Sequence, residues 1–219
     1  MIQLATLVSK DVKEEARRPH EILALFSLSA AFSLPLSYLI SGPGTTVLTQ
    51  VEAANLVVIG QIGLSILIST LLGFLMVIRE AEKGTLYALR MAPIAPEVMF
   101  LAKTVVIFLF TISLNIAYAS IASFLSSQLF ITFDYLMYLL ALSMYMSSLG
   151  ALVSFMIIYT DVGTLLASVS IAALSAPYLF STVSTAVECI VGSPGYGFFL
   201  PSFSFTILAL LLSKFLIEL

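Results

Sequence analysis

The sequence predicts an all-α integral membrane protein with six transmembrane helices, and three observations support this fold class. The chain of 219 residues is 60% hydrophobic and only 10% charged, more apolar than a soluble domain of this size could bury. Six continuously apolar segments reach the roughly 20 residues that a helix needs to cross the hydrocarbon. Their apolar residues do not alternate with polar ones, which favours helices over the strands of a barrel.

The predicted spans belong to one domain, residues 1–219, and are separated by turn-forming or polar residues. Examples are Gly42-Pro43-Gly44 after the first span, Thr160-Asp161 after the fourth and Ser193-Pro194-Gly195 before the sixth. The six spans cover residues 22–40, 54–78, 98–126, 135–158, 162–184 and 197–215.

The basic residues predict the orientation. With six spans, the loops on one side carry no Lys or Arg, only Glu52, Asp134 and Glu188. The positive-inside rule therefore places both termini in the cytoplasm of a multi-pass protein, which we expect in the plasma (inner) membrane. The side predicted to be cytoplasmic holds every Lys and Arg: Lys10, Lys13, Arg17, Arg18, Arg79, Lys83, Arg90, Lys103 and Lys214.

Residues 1–21 precede the first span, and residues 1–18 predict an amphipathic helix. Leu4, Val8, Val12 and Ala16 recur every four residues and form a narrow apolar stripe. Pro19 ends this predicted helix. Such a helix would lie in the plane of the membrane interface, as a simple anchor or as a contact for a partner.

The loop between the second and third spans is the longest charged interruption in the apolar part of the chain. Thr85 is a suitable N-cap for a short helix over residues 86–91, and Pro93 and Pro96 end it. Leu86 and Leu89 would share one face of this helix. An apolar face in a cytoplasmic loop needs a cover, which lipid, the protein itself or a groove on another protein could supply.

The string Arg79-Glu-x-Glu-x-Gly-Thr-Leu-x-x-Leu-x-x-x-Pro93 resembles the loop after the second span in ABC-2-type exporter permeases. Within that superfamily the chain looks most similar to the heme exporter protein B family of cytochrome c maturation. The similarity extends to Phe32-Ser-Leu-Pro-Leu-Ser37, to Leu101-Ala-Lys103, and to residues 163–180 with Pro177-Tyr-Leu-Phe180. Bacterial relatives commonly carry tryptophan in the second span, whereas this chain has none.

The resemblance implies a permease subunit with no active site of its own, driven by a separate ABC ATPase that binds ATP. The chain contains no Gly-x-x-x-x-Gly-Lys-Ser/Thr loop. The implied partners are that ATPase, a second permease copy, other cytochrome c maturation membrane proteins, a heme chaperone and the lipid bilayer. The implied output is heme export or release of the loaded chaperone. The coupling residues carried over from the family's loop are Glu80, Glu82, Gly84, Thr85, Leu86, Leu89 and Pro93.

The predicted spans contain few polar side chains. Gln61 and Asn115 are buried amides that either bond neighbouring helices or line a candidate intramembrane polar path. Lys103 lies close enough to the cytoplasmic edge to extend its amine to water. His20 is expected at the interface and Cys189 in the last outer loop, so neither predicts heme ligation, and no resident cofactor or metal site is expected.

Three other functions differ from a heme permease. An exporter of lipid, drug or polysaccharide would use the same machine with another cargo. An intramembrane protease is disfavoured, because a serine nucleophile needs a histidine within reach and His20 precedes the first span. A non-transporting scaffold would leave an ATPase unaffected. Nucleic acid is not an expected partner, because there is no basic stripe.

Overall fold

The computed structural model of the chain describes residues 2–41, 48–82, 95–160, 164–192 and 196–218. All the regular structure in these ranges is helical, which confirms the predicted all-α class. A short 3₁₀ turn, Tyr196–Phe198, precedes the last helix. The α-helices are α1 (Ile2–Ala16), α2 (Pro19–Ser41), α3 (Gln50–Glu82), α4 (Pro96–Ser126), α5 (Phe133–Thr160), α6 (Thr164–Val191) and α7 (Phe199–Glu218).

Helices α2 to α7 contain the six stretches that are long and apolar enough to cross a membrane, within the part of the chain that is described. The prediction of six spans is thereby confirmed. The predicted bounds were too short for several helices: the second was placed at 54–78, whereas α3 runs from Gln50 to Glu82. Hydropathy marks the apolar stretch alone, and a helix continues beyond it where its polar residues find partners.

The end of α6 corrects one expectation. The fifth span was predicted to end near residue 184, but α6 continues to Val191, so Cys189 is a buried helical residue rather than part of a loop. Gly192 follows with φ +99°, a conformation that glycine adopts without steric penalty. Its N–H donates to the carbonyl of Glu188 at 2.9 Å, which closes the last turn of the helix.

Helix α5 lies at the centre of the bundle and packs against α3, α4, α6 and α7. In its most apolar stretch 78% of the residues are buried, compared with 22% in α2 and in α7. The two outer helices therefore present most of their surface to the surroundings, which in a bilayer are lipid.

Helices α3 and α5 approach each other closely because both have glycine at the contact. A Cβ on Gly150 would lie 2.7 Å from the carbonyl oxygen of Ser69, and one on Gly73 would lie 2.7 Å from that of Gly150. Real Cβ atoms essentially never come so near to other heavy atoms. Small residues allow such backbone contact in membrane bundles. Gly150 and Ser154, two small residues four apart on α5, therefore serve packing inside the chain.

The bundle has two chemically distinct ends. At one end, which we call the basic end, the start of α2, the end of α3 and the start of α4 meet α1. At the other end, Ser41 Oγ donates to Leu125 O at 3.3 Å and Thr132 Oγ1 donates to Cys189 O at 2.8 Å. The positive-inside rule predicts that the basic end faces the cytoplasm.

Candidate functional site

Helix α1 turns an acidic face toward the bundle. Asp11 and Glu15 lie one helical turn apart and are only 4% and 7% exposed. Val8 and Val12 pack against the core beside them, whereas Ala16, the last member of the predicted apolar stripe, is exposed. The predicted helix is present, but two carboxylates share its buried face. Such charges are tolerated only when they are paired.

Lys103 of α4 provides the first pairing. Its Nζ lies 2.8 Å from Asp11 Oδ2 and 2.9 Å from Glu80 Oε1 at the end of α3. Lys10 Nζ donates to the same Glu80 oxygen at 3.1 Å. Lys103 is 4% exposed, so the expectation that its amine reaches water is wrong. The amine can remain buried because two carboxylates provide the hydrogen bonds and the opposite charge that compensate for its lost hydration.

Arg79 of α3 provides the second pairing. Its guanidinium contacts Glu15 Oε1 at 3.3 Å and Glu21 Oε2, in the first turn of α2, at 2.5 Å. Arg18 Nη1 contacts the other Glu21 oxygen at 3.3 Å. These contacts connect α1, α2 and α3, while Lys103 connects α1, α3 and α4.

The two sets together form a charge-balanced cluster, which we call the ion cluster. Pairing offsets part of the large cost of removing each charge from water. Burial alone would lower the pKa of Lys10, but the charge of Glu80 and its hydrogen bond outweigh that effect and raise it. Burial raises the pKa of Glu15, and the charge of Arg79 offsets this only in part. The members are Lys10, Arg18, Arg79 and Lys103 with Asp11, Glu15, Glu21 and Glu80.

The ion cluster brackets the central loop, residues 83–95. Glu80 lies just before this loop, and Lys103 lies two turns into the helix that follows it. Helix α4 begins at Pro96, two residues before the predicted start of the third span at residue 98. Among the predicted coupling residues, Glu80 belongs to the cluster and Glu82 is the last residue of α3. The others lie outside the described residues: Gly84, Thr85, Leu86, Leu89 and Pro93.

The sequence did not predict Asp11, Glu15 and Lys10 as partners of this region. A signal was present, because Asp11 and Glu15 are spaced four apart and alternate with Val8 and Val12 along one side of the helix. An acid pair flanked by apolar residues indicates a buried polar contact. The partner helices could not be identified from that spacing.

Gln61 and Asn115, the two predicted intramembrane amides, contact each other. Gln61 Nε2 donates to Asn115 Oδ1 at 2.6 Å, and Ser65 Oγ donates to the same oxygen at 3.0 Å. Asn115 Nδ2 donates to Ser143 Oγ at 3.1 Å. All four residues are fully buried, so this polar network joins α3, α4 and α5 inside the bundle.

An apolar groove lies between α4, α5 and α7, with a volume of about 400 Å³. The hydroxyls along it are used by their own helices; Thr104 donates to Phe100 O at 3.0 Å and Thr206 to Ser202 O at 2.8 Å. The groove thus offers contact to hydrocarbon and no free polar group. Its lining includes Val105, Phe108, Leu140, Met144, Phe199 and Phe203.

His20 and Cys189 do not form a joint site. His20 has a 78% exposed side chain at the basic end, and Cys189 is buried at the opposite end. Within the described ranges, no group of three or more His, Cys, Asp or Glu could hold a metal ion.

The chain matches a known family of membrane transporters. Neither a curated protein nor a solved structure matches it. The family model described as ABC-2 type transporter matches residues 2–190, which include α1 and the central loop. The members of this family are membrane permeases that work with an ABC ATPase. Six helices long and apolar enough to span a membrane agree with a permease, and the chain belongs to the ABC-2 type transporter family.

Proposed function

We propose that this chain is the permease subunit of an ABC exporter acting in c-type cytochrome maturation, where it exports heme or releases a heme-loaded chaperone. The family match over residues 2–190 carries the permease part of this proposal. The similarity of the spans and loop to the heme exporter protein B family supports the cargo. The partners are an ATPase subunit and a second copy of this chain.

The ion cluster supports a mechanism for coupling. The central loop contacts the ATPase, and ATP-driven closure of the ATPase moves it. Because Lys103 bridges Asp11 and Glu80, α1 and the two helices that flank the loop are tied at their basic ends. Helices linked by buried ion pairs shift together, since separating them would expose unpaired charges to a poor solvent. Movement of the loop is therefore transmitted to α3 and α4 together.

The polar network of Gln61 and Asn115 lies further along the same two helices. A shift of α3 against α4 changes the distance between these amides. The network then acts either as a packing contact or as part of the path, and the two roles differ in their effects on stability and on export.

A co-purification experiment tests the proposal. The chain is expressed with the candidate ATPase subunit, the complex is isolated from membranes, and ATP turnover is measured with and without heme and its chaperone. We expect a stable complex whose turnover responds to heme. A stable complex that is indifferent to heme would reject the cargo and keep the permease, whereas no complex would favour the scaffold.

A lipid-like cargo is the second candidate, and the groove between α4, α5 and α7 favours it. The groove is lined by apolar side chains, and its hydroxyls are used internally. Turnover that responds to lipid but not to heme would select this alternative.

A further inference from the structure

In helix α1, two acidic residues are buried while most of the basic residues stay at the surface. Along the chain its acids and bases are mixed, so the sequence around residues 10–18 shows little net charge. In the fold, Asp11 and Glu15 turn inward and pair with Lys103 and Arg79. The outward face therefore loses most of its negative charge. It keeps Lys13 and Arg17, beside Lys10 and Arg18, which contact Glu80 and Glu21.

The outward face, which we call the basic face, consists of Lys10, Lys13, Arg17 and Arg18. Lys13 and Arg17 are exposed, and in the described part of the chain neither forms an ion pair. Lys10 keeps 45% of its side chain exposed although it contacts Glu80. The four bases line an open groove of about 500 Å³, with Glu14 as its one acid.

The place of this face follows from the connection to the first span. Helix α1 ends at Ala16, and α2, which is long and apolar enough to cross a membrane, begins at Pro19. Arg17 and Arg18 are thus within a turn of the point at which the chain enters the hydrocarbon. That point is the level of the lipid headgroups.

We propose that the basic face binds the phosphate groups of anionic phospholipids. Basic residues next to a spanning helix are attracted to anionic headgroups, and a guanidinium can hold a phosphate through two parallel hydrogen bonds. Val8 and Val12 pack against the protein core and are not free to enter the lipid, so charge is the main source of this attraction. The proposal requires only that the chain spans a membrane, and it does not depend on the cargo or on the ATPase.

Native mass spectrometry of the purified full chain tests the proposal. The chain is equilibrated in detergent with equal amounts of phosphatidylglycerol and phosphatidylcholine that carry identical acyl chains, and the bound lipids are counted. Identical chains remove any contribution of the apolar groove to the preference. We expect phosphatidylglycerol to be retained in excess, and the excess to shrink in about 1 M salt, where charges are screened beyond about 3 Å.

Charge-removing variants locate the site. We expect Lys13→Gln and Arg17→Gln each to reduce the preference for phosphatidylglycerol about fivefold, because one basic residue near an anionic surface contributes about that factor. The matched control is Lys214→Gln, which removes an exposed charge from α7 at the same end of the bundle. Circular dichroism of each variant verifies folding, and neutral glutamine on an exposed helix face is compatible with it.

Three results would overturn the proposal. An unchanged lipid preference in both variants would mean that the basic face does not bind headgroups. If the preference is unchanged while the variants no longer co-purify with the ATPase subunit, the face belongs to a protein partner instead. Equal losses in the Lys214→Gln control would attribute the preference to net charge rather than to α1.

Discussion

Asp11 and Lys103 form a buried ion pair with a separation of 2.8 Å, which joins the amino-terminal helix to the helix that follows the central loop. Both side chains are 5% exposed. The pair fixes α1 against the bundle by charge as well as by apolar packing. It also makes the amino terminus part of the region that we propose to receive movement from the ATPase.

Removal of the Lys103 amine should be severely destabilising. In Lys103→Met, Asp11 loses its closest buried partner, while Glu80 keeps Lys10. Breaking a buried ion pair on one side costs about 3–5 kcal/mol. Thermal unfolding in detergent, followed by circular dichroism, measures the loss.

The control for this prediction is Lys214→Met, which removes an exposed amine and should change stability by less than about 0.5 kcal/mol. Asp11→Asn combined with Lys103→Met should recover part of the loss, since the unpaired charge is gone. Equal stability of Lys103→Met and wild type would show that the ion pair does not hold α1.

A methyl group at Gly150 should separate α3 from α5. In Gly150→Ala the new Cβ would lie 2.7 Å from Ser69 O, so one helix must move, at a cost of about 1–3 kcal/mol. Gly197→Ala is the matched control, because a Cβ there has nothing within 4 Å. Unfolding midpoints of the two variants are compared, and a larger loss at Gly197 would contradict the close approach.

Substitution of Asn115 tests whether the polar network only packs helices or also takes part in transport. Asn115→Ala leaves Gln61 Nε2 and Ser65 Oγ without the oxygen that accepts from both, and interhelical bonds of this kind contribute about 0.6–2 kcal/mol. If the network only packs helices, stability falls and export per folded molecule is unchanged. Loss of export at full stability would instead place Asn115 on the path. Ser120→Ala, which removes an exposed hydroxyl bonded to its own helix, is the control.

The central loop should couple the permease to its ATPase. Leu89→Asp places a charge on the apolar face that we predict to contact the partner, and Gly84→Pro alters the backbone at the start of the loop. Both should leave membrane insertion intact and abolish stimulation of ATP turnover. Leu129→Asp repeats the first substitution at a residue that is 76% exposed in a loop at the opposite end, and should retain stimulation. Stimulation at the wild-type level in both loop variants would remove the coupling assignment.

The raised pKa of Glu15 predicts that the free energy of unfolding depends on pH. Burial raises its pKa above the ordinary 4.5, so the folded state holds the proton more tightly than the unfolded chain does. The associated stability is fully present below pH 4.5 and is lost as the pH rises through the folded pKa. Relative to Glu15→Gln, the wild type should therefore lose stability between pH 4.5 and the folded pKa. Unfolding of both proteins across this window measures the difference in stability. A wild type that gains stability over the window would contradict the prediction.

The sequence alone determined the class of the protein and much of its architecture. Apolar runs long enough to cross a bilayer predict spanning helices because a backbone in hydrocarbon must satisfy its own hydrogen bonds. The uneven distribution of Lys and Arg predicted which ends of the helices lie together. The string from Arg79 to Pro93 indicated the superfamily, since it is local and needs no knowledge of packing.

Only the tertiary structure decided which charged residues meet. Asp11, Glu80 and Lys103 are far apart in the chain, and their pairing depends on how α1 packs across the starts and ends of other helices. The same packing buried Asp11 and Glu15 beside the apolar residues of α1 and left Lys13 and Arg17 exposed. Helical periodicity gives the residues that share a face, but the neighbour that covers the face is set by long-range packing. For this reason the sequence predicts a solvated Lys103 amine, whereas in the fold the amine is buried between two carboxylates.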